Sequence, residues 1–517
     1  MVGLSARHMA ADQVYSEAVV APSGPSALSP LLSPDNAVAQ TVGALADPGL
    51  LKMGAGGAPE LALASSWKRE SGGVRYAFTL PRWGRWSDGQ PITTRDVGFT
   101  LAVLQSPNFP NPALAAPWTG VSLYATSYWS GTFVLPGPAQ NFPTIAELPI
   151  LPSAHYHDQP ALYLRGGQRG TSLFPPSAGP FVVDANTASQ VALQRNPYFR
   201  PLPILAGFTI ALEPNPAVVA QMLAKGRIDG WLAATSGDLQ GLPRGLVEQR
   251  MTSYSFVELL LNEGSAPLDS LQVRQAIAAA ISRKKLIAAG LGGLGVPQYG
   301  PLPTSIPWAA LAPSALGSLP SPVRSLKAAG YQKAPPLDVF SKGGKRLSLT
   351  LSVPNLEPLP GAADELAAML AAQGISVSVR VLAPGAFVSG TLAQERFQLA
   401  LVGFDNGPSA NITSFWGASS VPGGSLNFSQ APVDPVLVHA VDQLATAAGM
   451  SARRAAYGEV AKRLFAGVPA VFLYTPVAVY VHLASVHVPG VPSYGDPVQR
   501  FQDVARWTLA SPAPTVR

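Results

Sequence analysis

The sequence predicts an α/β protein of more than one domain, on three observations: a strand–helix–strand unit, several capped amphipathic helices, and a length beyond one core. The run Leu347–Val353 alternates apolar and polar residues as a half-buried strand does. Gly361 to Gln373 follows, with Leu366, Met369 and Leu370 on one helical face and Gly374 as the stop. Ile375–Leu382 then alternates again. Strand, helix and strand in this order make a βαβ unit, which implies a parallel sheet flanked by helices. Phe387 to Glu395 and Phe397 to Phe404 extend it by one more helix and strand. At 517 residues the chain exceeds what one core fills, so two or three domains are expected.

Other elements are read in turn. Thr93 with Asp96 caps a helix running through Phe99, Leu101 and Leu104. Asp269 with Gln272 three residues on predicts a capping-box variant before Val273, Ile277 and Ile281. Asp434-Pro435 opens a helix carrying Leu437, Val441 and Leu444. Ser451 is expected to cap another, bearing Tyr457, Val460, Ala461 and Leu464 and ending at Gly467. The earlier half is richer in strands and loops, with strands at Tyr76–Leu80 and Val191–Gln194. The apolar stretch Phe465–Val488 is broken by Gly467, Pro469, Pro476 and His482, which argues for two buried strands rather than a membrane span.

Composition narrows the function. Hydrophobic residues make up 47% of the chain and charged residues 12%, about half the globular average of roughly 25%. The net charge of +6 comes from 35 cations against 29 anions with no run longer than Arg283-Lys284-Lys285, so no nucleic-acid partner is expected. With no cysteine, disulfides, thiol catalysis and cysteine metal sites are excluded. The first ten residues lack the apolar core of a signal peptide. Residues 1–11 read as a cloning remnant standing where an export signal was removed.

Arg85-Trp86-Ser87-Asp88-Gly89-Gln90-Pro91-Ile92-Thr93-Thr94-Arg95-Asp96-Val97 is the most distinctive segment. Each residue has a structural role there, since Asp88-Gly89 makes a tight turn and Thr93 and Asp96 cap a helix. The segment also resembles the W-S-D-G-x-P-x-T-A-x-D-V signature of the oligopeptide/dipeptide-binding solute-binding proteins of ABC transporters, family 5, with Thr94 in place of alanine. Further matches follow in order. They are Ser177–Phe181 with G-T-G-P-Y, Leu193–Phe199 with L-x-R-N-P-x-Y-W, and Leu261-Asn262 with F-N. Val273-Arg274-Gln275-Ala276 with Ile281-Ser282-Arg283 matches V-R-Q-A…A-I-D-R, Gly300–Pro303 matches G-P-x-P, and Ala329-Gly330-Tyr331 matches A-G-Y.

The resemblance implies an α/β, two-lobed periplasmic-binding-protein fold of the class II type, with an extra inserted subdomain in the N-terminal half. On that pattern 12–48, 170–256 and 478–517 form lobe I, 49–169 the insertion and 257–477 lobe II. It implies a bacterial extracytoplasmic protein, lipid-anchored in its native form. A monomer would capture a peptide or other small solute and hand it to ABC permease membrane subunits, with no catalysis, cofactor or metal. Family members that bind peptides pair the ligand backbone with strand edges and hold its α-amino group with an acid.

Asp405 is the candidate for that acid, because it follows the strand Gln398–Phe404 near the family's W-x-x-D-Y type segment; it is equally a turn aspartate. Asn406, Asn411, Phe415 and Trp416 lie beside it and are read as lining the cleft. Trp118, Tyr128 and Trp129 are aromatic candidates from the first half, since such rings give rigid area with a polar tip. Most of the nine tryptophans are expected to be core or hinge packing. His155-Tyr156-His157 is read as a surface loop rather than a metal site. Gly290 to Gly295 satisfies G-x-G-x-x-G but follows a helix, so it reads as a helix stop and linker. Two alternatives stand beside solute import. One is a secreted hydrolase with an unrecognised carboxylate pair. The other is the same fold serving as a receptor or chaperone, or binding a metal complex, sugar or opine.

Overall fold

The computed structural model describes residues 13–510 apart from 22–27, 35, 55–57, 140, 167–173, 234, 334–337, 406–411, 418–427, 432–433, 448 and 494. The chain opens with β1 (Val14–Val20) and α1 (Ala37–Ala46), whose N-cap Asn36 accepts from the amides of Val38 and Ala39. After β2 (Leu51–Met53) come β3 (Ser66–Glu70), β4 (Arg75–Thr79), α2 (Thr94–Leu104), β5 (Ser122–Ser127) and β6 (Ser130–Val134). Strands β3 to β6 form a separate antiparallel sheet in the order β3-β4-β6-β5. Tyr76, Phe78, Trp118, Phe133 and Phe142 fill its core with Val97 and Leu101 of α2. The predicted cap is in place: the Thr93 amide donates to Asp96 Oδ2 at 2.8 Å.

The main sheet resumes with β7 (Phe181–Asn186), β8 (Gln190–Arg195), β9 (Gly207–Glu213), β10 (Gly230–Ala233), β11 (Val247–Thr252) and β12 (Ser255–Leu261). Then follow α3 (Leu271–Ala280), α4 (Arg283–Gly290), β13 (Ser348–Pro354), α5 (Leu359–Ala372), β14 (Ser376–Leu382) and β15 (Leu399–Asp405). Last come α6 (Pro435–Thr446), α7 (Met450–Gly467) and β16 (Ala470–His482). The predicted βαβ unit is β13-α5-β14, parallel from Ser348↔Ser376 to Pro354↔Leu382.

The path β14-β13-β15-β12-β16-β10-β1-β9-β8-β7 runs through both halves of the molecule. β16 joins them. Its first part pairs with β12, from Leu260↔Ala470 to Val257↔Tyr474, and its second with β11 and β10, from Thr252↔Val477 to Val247↔His482. Each half has its own core. Leu259, Leu261, Ile277, Leu351 and Leu366 pack under α3, α4 and α5, whereas Tyr15, Val38, Phe181, Phe208 and Trp507 pack around β1 and α1.

Of three local expectations, one holds and two are corrected. Phe465–Val488 holds two strands, the 13-residue β16 and the two-residue Val486–His487. Pro476 lies outside the ladders to β12 and β11 and pairs instead with Gly295 of the short strand Gly295–Pro297. Helix α3 begins after Ser270, with no side-chain cap bond, rather than at a cap by Asp269. Helix α7 begins after Gly449, whose φ of 91° is open to glycine, so Ser451 already lies in the first turn.

Candidate functional site

The motif segments fold into clasps. Ser87 donates its amide to the Ser177 carbonyl (2.8 Å) and receives the Ser177 amide on its Oγ (3.0 Å). Asn196 Nδ2 donates to the carbonyls of Ser177 (3.2 Å) and Gly179 (2.8 Å). Gly89, at φ 87°, lies so close to Tyr198 that a Cβ there would stand 3.0 Å from the phenol oxygen. Three stretches distant in sequence are thereby tied where the four-stranded sheet meets the main one. In the second half, Arg274 donates to the carbonyls of Gly467 and Leu268 and pairs with Glu263 at 2.9 Å. Asn262 Nδ2 donates to the carbonyls of Glu395 and Phe397. His155 and His157 lie in a turn in which Tyr156 stacks on Phe99 and Asp158 pairs with Arg95. Helix α4 ends at Gly290, followed by positive φ at Gly292 and Gly293.

A different arrangement occupies the junction of the halves. Strand β12 starts where the chain crosses between them, and its Phe256 packs with Phe404 of β15 (centroids 6.0 Å) and Phe472 of β16 (6.0 Å). Phe404 meets Phe415 at 4.8 Å and Phe428 at 6.5 Å, and Trp416 meets Phe472 at 6.4 Å. Phe404, Phe415, Trp416 and Phe428 are only half-buried, so this aromatic wall stays open on one side. Met53, at the end of β2, joins the same cluster beside Tyr254, bringing the first half against it. Gln502 Nε2 donates to the Met53 carbonyl and the Met53 amide donates to Glu147.

Two carboxyls at this junction are shielded from water, Glu258 fully buried and Glu147 half-buried. Glu258, 3% exposed, sits between Val402 and Phe472 on the neighbouring strands, and its Oε2 has no hydrogen-bond partner among the described residues. Burial pushes its carboxyl up to about 8. Glu147 has one oxygen held by Met53 and Oε1 without a partner among the described residues, and burial pushes it up to about 8 against that hydrogen bond. Sequence reasoning passed over both. The signal at Glu258 was a lone acid inside the apolar run Ser255–Leu261.

Of the residues singled out from sequence, Asp405 ends β15 with its Cα opposite Ser255. Asn406 and Asn411 lie outside the described residues. Phe415 and Trp416 stand in the helical turn Thr413–Trp416, within the aromatic wall. Trp118, 5% exposed, packs edge-on against Phe133 and Phe142 inside the core of the four-stranded sheet. Tyr128, 75% exposed, and Trp129, under Arg82 at 5.3 Å, sit at the tip of the β5–β6 hairpin. The structure thus groups the end of β15 with Phe415 and Trp416, and assigns the other three rings to a different body.

Comparison with known proteins decides the family. Residues 58–425 match the model of bacterial extracellular solute-binding proteins, family 5 Middle. The chain belongs to this family. Protein XP55 of Streptomyces lividans is 27% identical over 405 residues, covering 76% of this chain and 72% of that protein. The fold is that of two-lobed members of family 5. The oligopeptide-binding protein AppA of Bacillus subtilis, solved with a nonapeptide, superposes with a TM-score of 0.76 at 19% identity, over 97% of this chain and 100% of that one. NikA of Brucella suis, solved with Fe(III)-EDTA, gives 0.79 at 19%, over 96% and 99%. Family 5 consists of binding proteins that work outside the cytoplasm. No helix among the described residues is long and apolar enough to cross a membrane.

Proposed function

We propose that this protein captures a peptide, or a solute of similar size, between its two lobes and passes it unaltered to the membrane subunits of an ABC permease. The observation that carries this reading is β16, one strand shared by both halves, with a half-open aromatic wall beside the crossing. A short strand crossing suits hinge motion, which lets two rigid bodies close on a guest. Lobe I then comprises 12–48, 170–256 and 478–517, lobe II 257–477, and 49–169 the insertion. The exchange of partners by β16 between Tyr474 and Val477 supports the boundary between the lobes.

The end of β15 at Asp405, with Asn406, Asn411, Phe415 and Trp416, forms one wall of the site in this reading. AppA, solved with a nonapeptide, supports the peptide branch only as a structural relative, and NikA with Fe(III)-EDTA keeps a non-peptide guest among the outcomes. We further propose a monomer without catalytic turnover or nucleic-acid partner, tethered outside the cell by a lipid. Native mass spectrometry of the freshly purified protein identifies the guest, and small-angle scattering follows compaction on re-adding it. A bound solute released intact, with a smaller radius of gyration in the complex, is the expected result. Turnover of the solute, or no compaction with any solute class, overturns the reading.

A further inference from the structure

We infer that Glu258, with Phe256, Phe404, Trp416 and Phe472, forms a subsite for a cationic group, an amine or guanidinium, on the captured solute. This rests on the solute-capture reading above and names the ligand chemistry of that same site.

The inference begins from how the protein treats four of its other inward-facing acids, two of them buried and two half-buried. Glu17 is paired with Arg500. Glu263 is paired with Arg274. Asp96 accepts from the amides of Thr93 and Ser153 at 2.8 and 2.9 Å. Asp229 accepts from the amide of Ser16 at 2.8 Å. Each of these carboxylates has protein donors to offset its lost hydration, as burial of charge requires. Glu258 does not: its Oε2 is unpartnered, and among the described residues no cation lies within ion-pair distance, whereas Glu147, which also keeps one oxygen unpartnered, is half-buried and has the Met53 amide on its carboxyl. An acid that only packed would do better as leucine, the residue that follows it three times in the strand.

Its surroundings have the composition a cation needs. Aromatic faces attract a cation through the ring quadrupole, and a carboxylate at the base adds a charge-assisted hydrogen bond. Phe256, two residues before Glu258, and Phe472, opposite it, stand on either side. Trp416 and Phe404 continue the wall outward and are half-buried. Backbone geometry points the same way. The register between β12 and β16 shifts between Val257 and Glu258, a bulge of the kind that re-aims side chains next to functional sites. This bulge lies in the first half of β12, close to where the chain crosses between the halves.

The test uses full-length wild type and Glu258→Gln, immobilised and offered an enzymatic casein hydrolysate or the same hydrolysate with all amines acetylated. Retained peptides are identified by mass spectrometry, and circular dichroism with thermal unfolding establishes that the variant folds. Wild type is expected to retain amine-bearing peptides and to lose most of them on acetylation. The variant, isosteric but unable to carry charge, should retain at least tenfold less, and Glu258→Asp an intermediate amount. Equal retention of the same peptides by wild type and a folded Glu258→Gln overturns the inference. Equal retention of acetylated and free peptides by wild type also overturns it, while leaving solute capture standing. Retention of nothing from either hydrolysate, with no compaction, removes both.

Discussion

The clasp that ties Ser87, Ser177 and Asn196 together and the junction around Glu258 both bury polar side chains, yet they treat them in opposite ways. In the clasp, Asn196 gives both amide hydrogens to backbone carbonyls, and its Oδ1 accepts from the Tyr198 amide at 3.0 Å. At the junction, Glu258 and Glu147 each keep an oxygen without a partner among the described residues. A saturated network specifies one geometry; an unsaturated one leaves capacity for something that comes and goes. On the solute-capture proposal, the contrast separates the parts of this chain that build the scaffold from the part proposed to meet a guest.

The largest effect is expected where saturation is greatest. Arg274→Ala removes three carbonyl contacts and leaves Glu263 buried without its cation. Loss of about 3–5 kcal/mol of stability should follow, read from denaturant unfolding. Trp118→Ala should cost a similar amount, about 3–5 kcal/mol, because the ring is enclosed by Phe133 and Phe142. If either variant unfolds at the wild-type denaturant concentration, the division into scaffold and site loses its basis.

The junction should respond in the opposite direction. Glu258 and Glu147 are pushed up to about 8 and Asp47 to about 7, in each case chiefly by burial. A carboxyl with a folded pKa above its unfolded value holds its proton more tightly in the folded chain. Its contribution is therefore complete below about pH 4 and is lost as pH rises through 7 to 8. Unfolding midpoints should fall between about pH 5 and pH 9. At about pH 9, Glu258→Gln should be more stable than wild type by on the order of 3 kcal/mol, since one pKa unit is about 1.4 kcal/mol. A midpoint flat across this range would show that these carboxyls are hydrated or paired in solution.

A smaller loss is expected inside the first clasp. Asn196→Ala leaves the Ser177 and Gly179 carbonyls with fewer donors and the Tyr198 amide without its acceptor. Roughly 2 kcal/mol is the usual scale for buried partners left unmade. Solute retention should survive it, because the clasp lies away from the aromatic wall. Loss of retention in a stably folded Asn196→Ala would couple the two regions.

Legibility in the sequence follows the same division. The βαβ unit could be read because Leu349, Leu351 and Val353 alternate with polar neighbours while Leu366 and Leu370 repeat at helical spacing. The clasps could be read as motifs because Trp86, Asn196, Arg274 and Asn262 do structural work that any chain of this fold must do. The junction is different. Phe256, Glu258, Phe404 and Phe472 come from three strands more than 200 residues apart at the extremes, and no local pattern links them. Asp405 and Trp416 drew notice only through the family pattern. The length of β16 was not legible, since Pro476 has the appearance of a break until its pairing with Gly295, outside the ladders to β11 and β12, is known.

The smallest effect is expected at Tyr128, and it bears on which body meets the guest. Its ring is 75% exposed and touches Trp129 at a centroid distance of 5.9 Å. A surface side chain with one neighbour changes stability by about 0.5 kcal/mol or less when truncated. Exposure alone would let such a ring serve in binding, as the sequence suggested. Trp129 beside it, however, is engaged by Arg82 and by the core of the four-stranded sheet, whereas the open wall belongs to β12, β15 and β16. Tyr128→Ala should therefore leave both thermal midpoint and peptide retention unchanged, while Trp416→Ala lowers retention. A drop in retention for Tyr128→Ala would place the insertion on the guest, making the hairpin tip a second wall of the site.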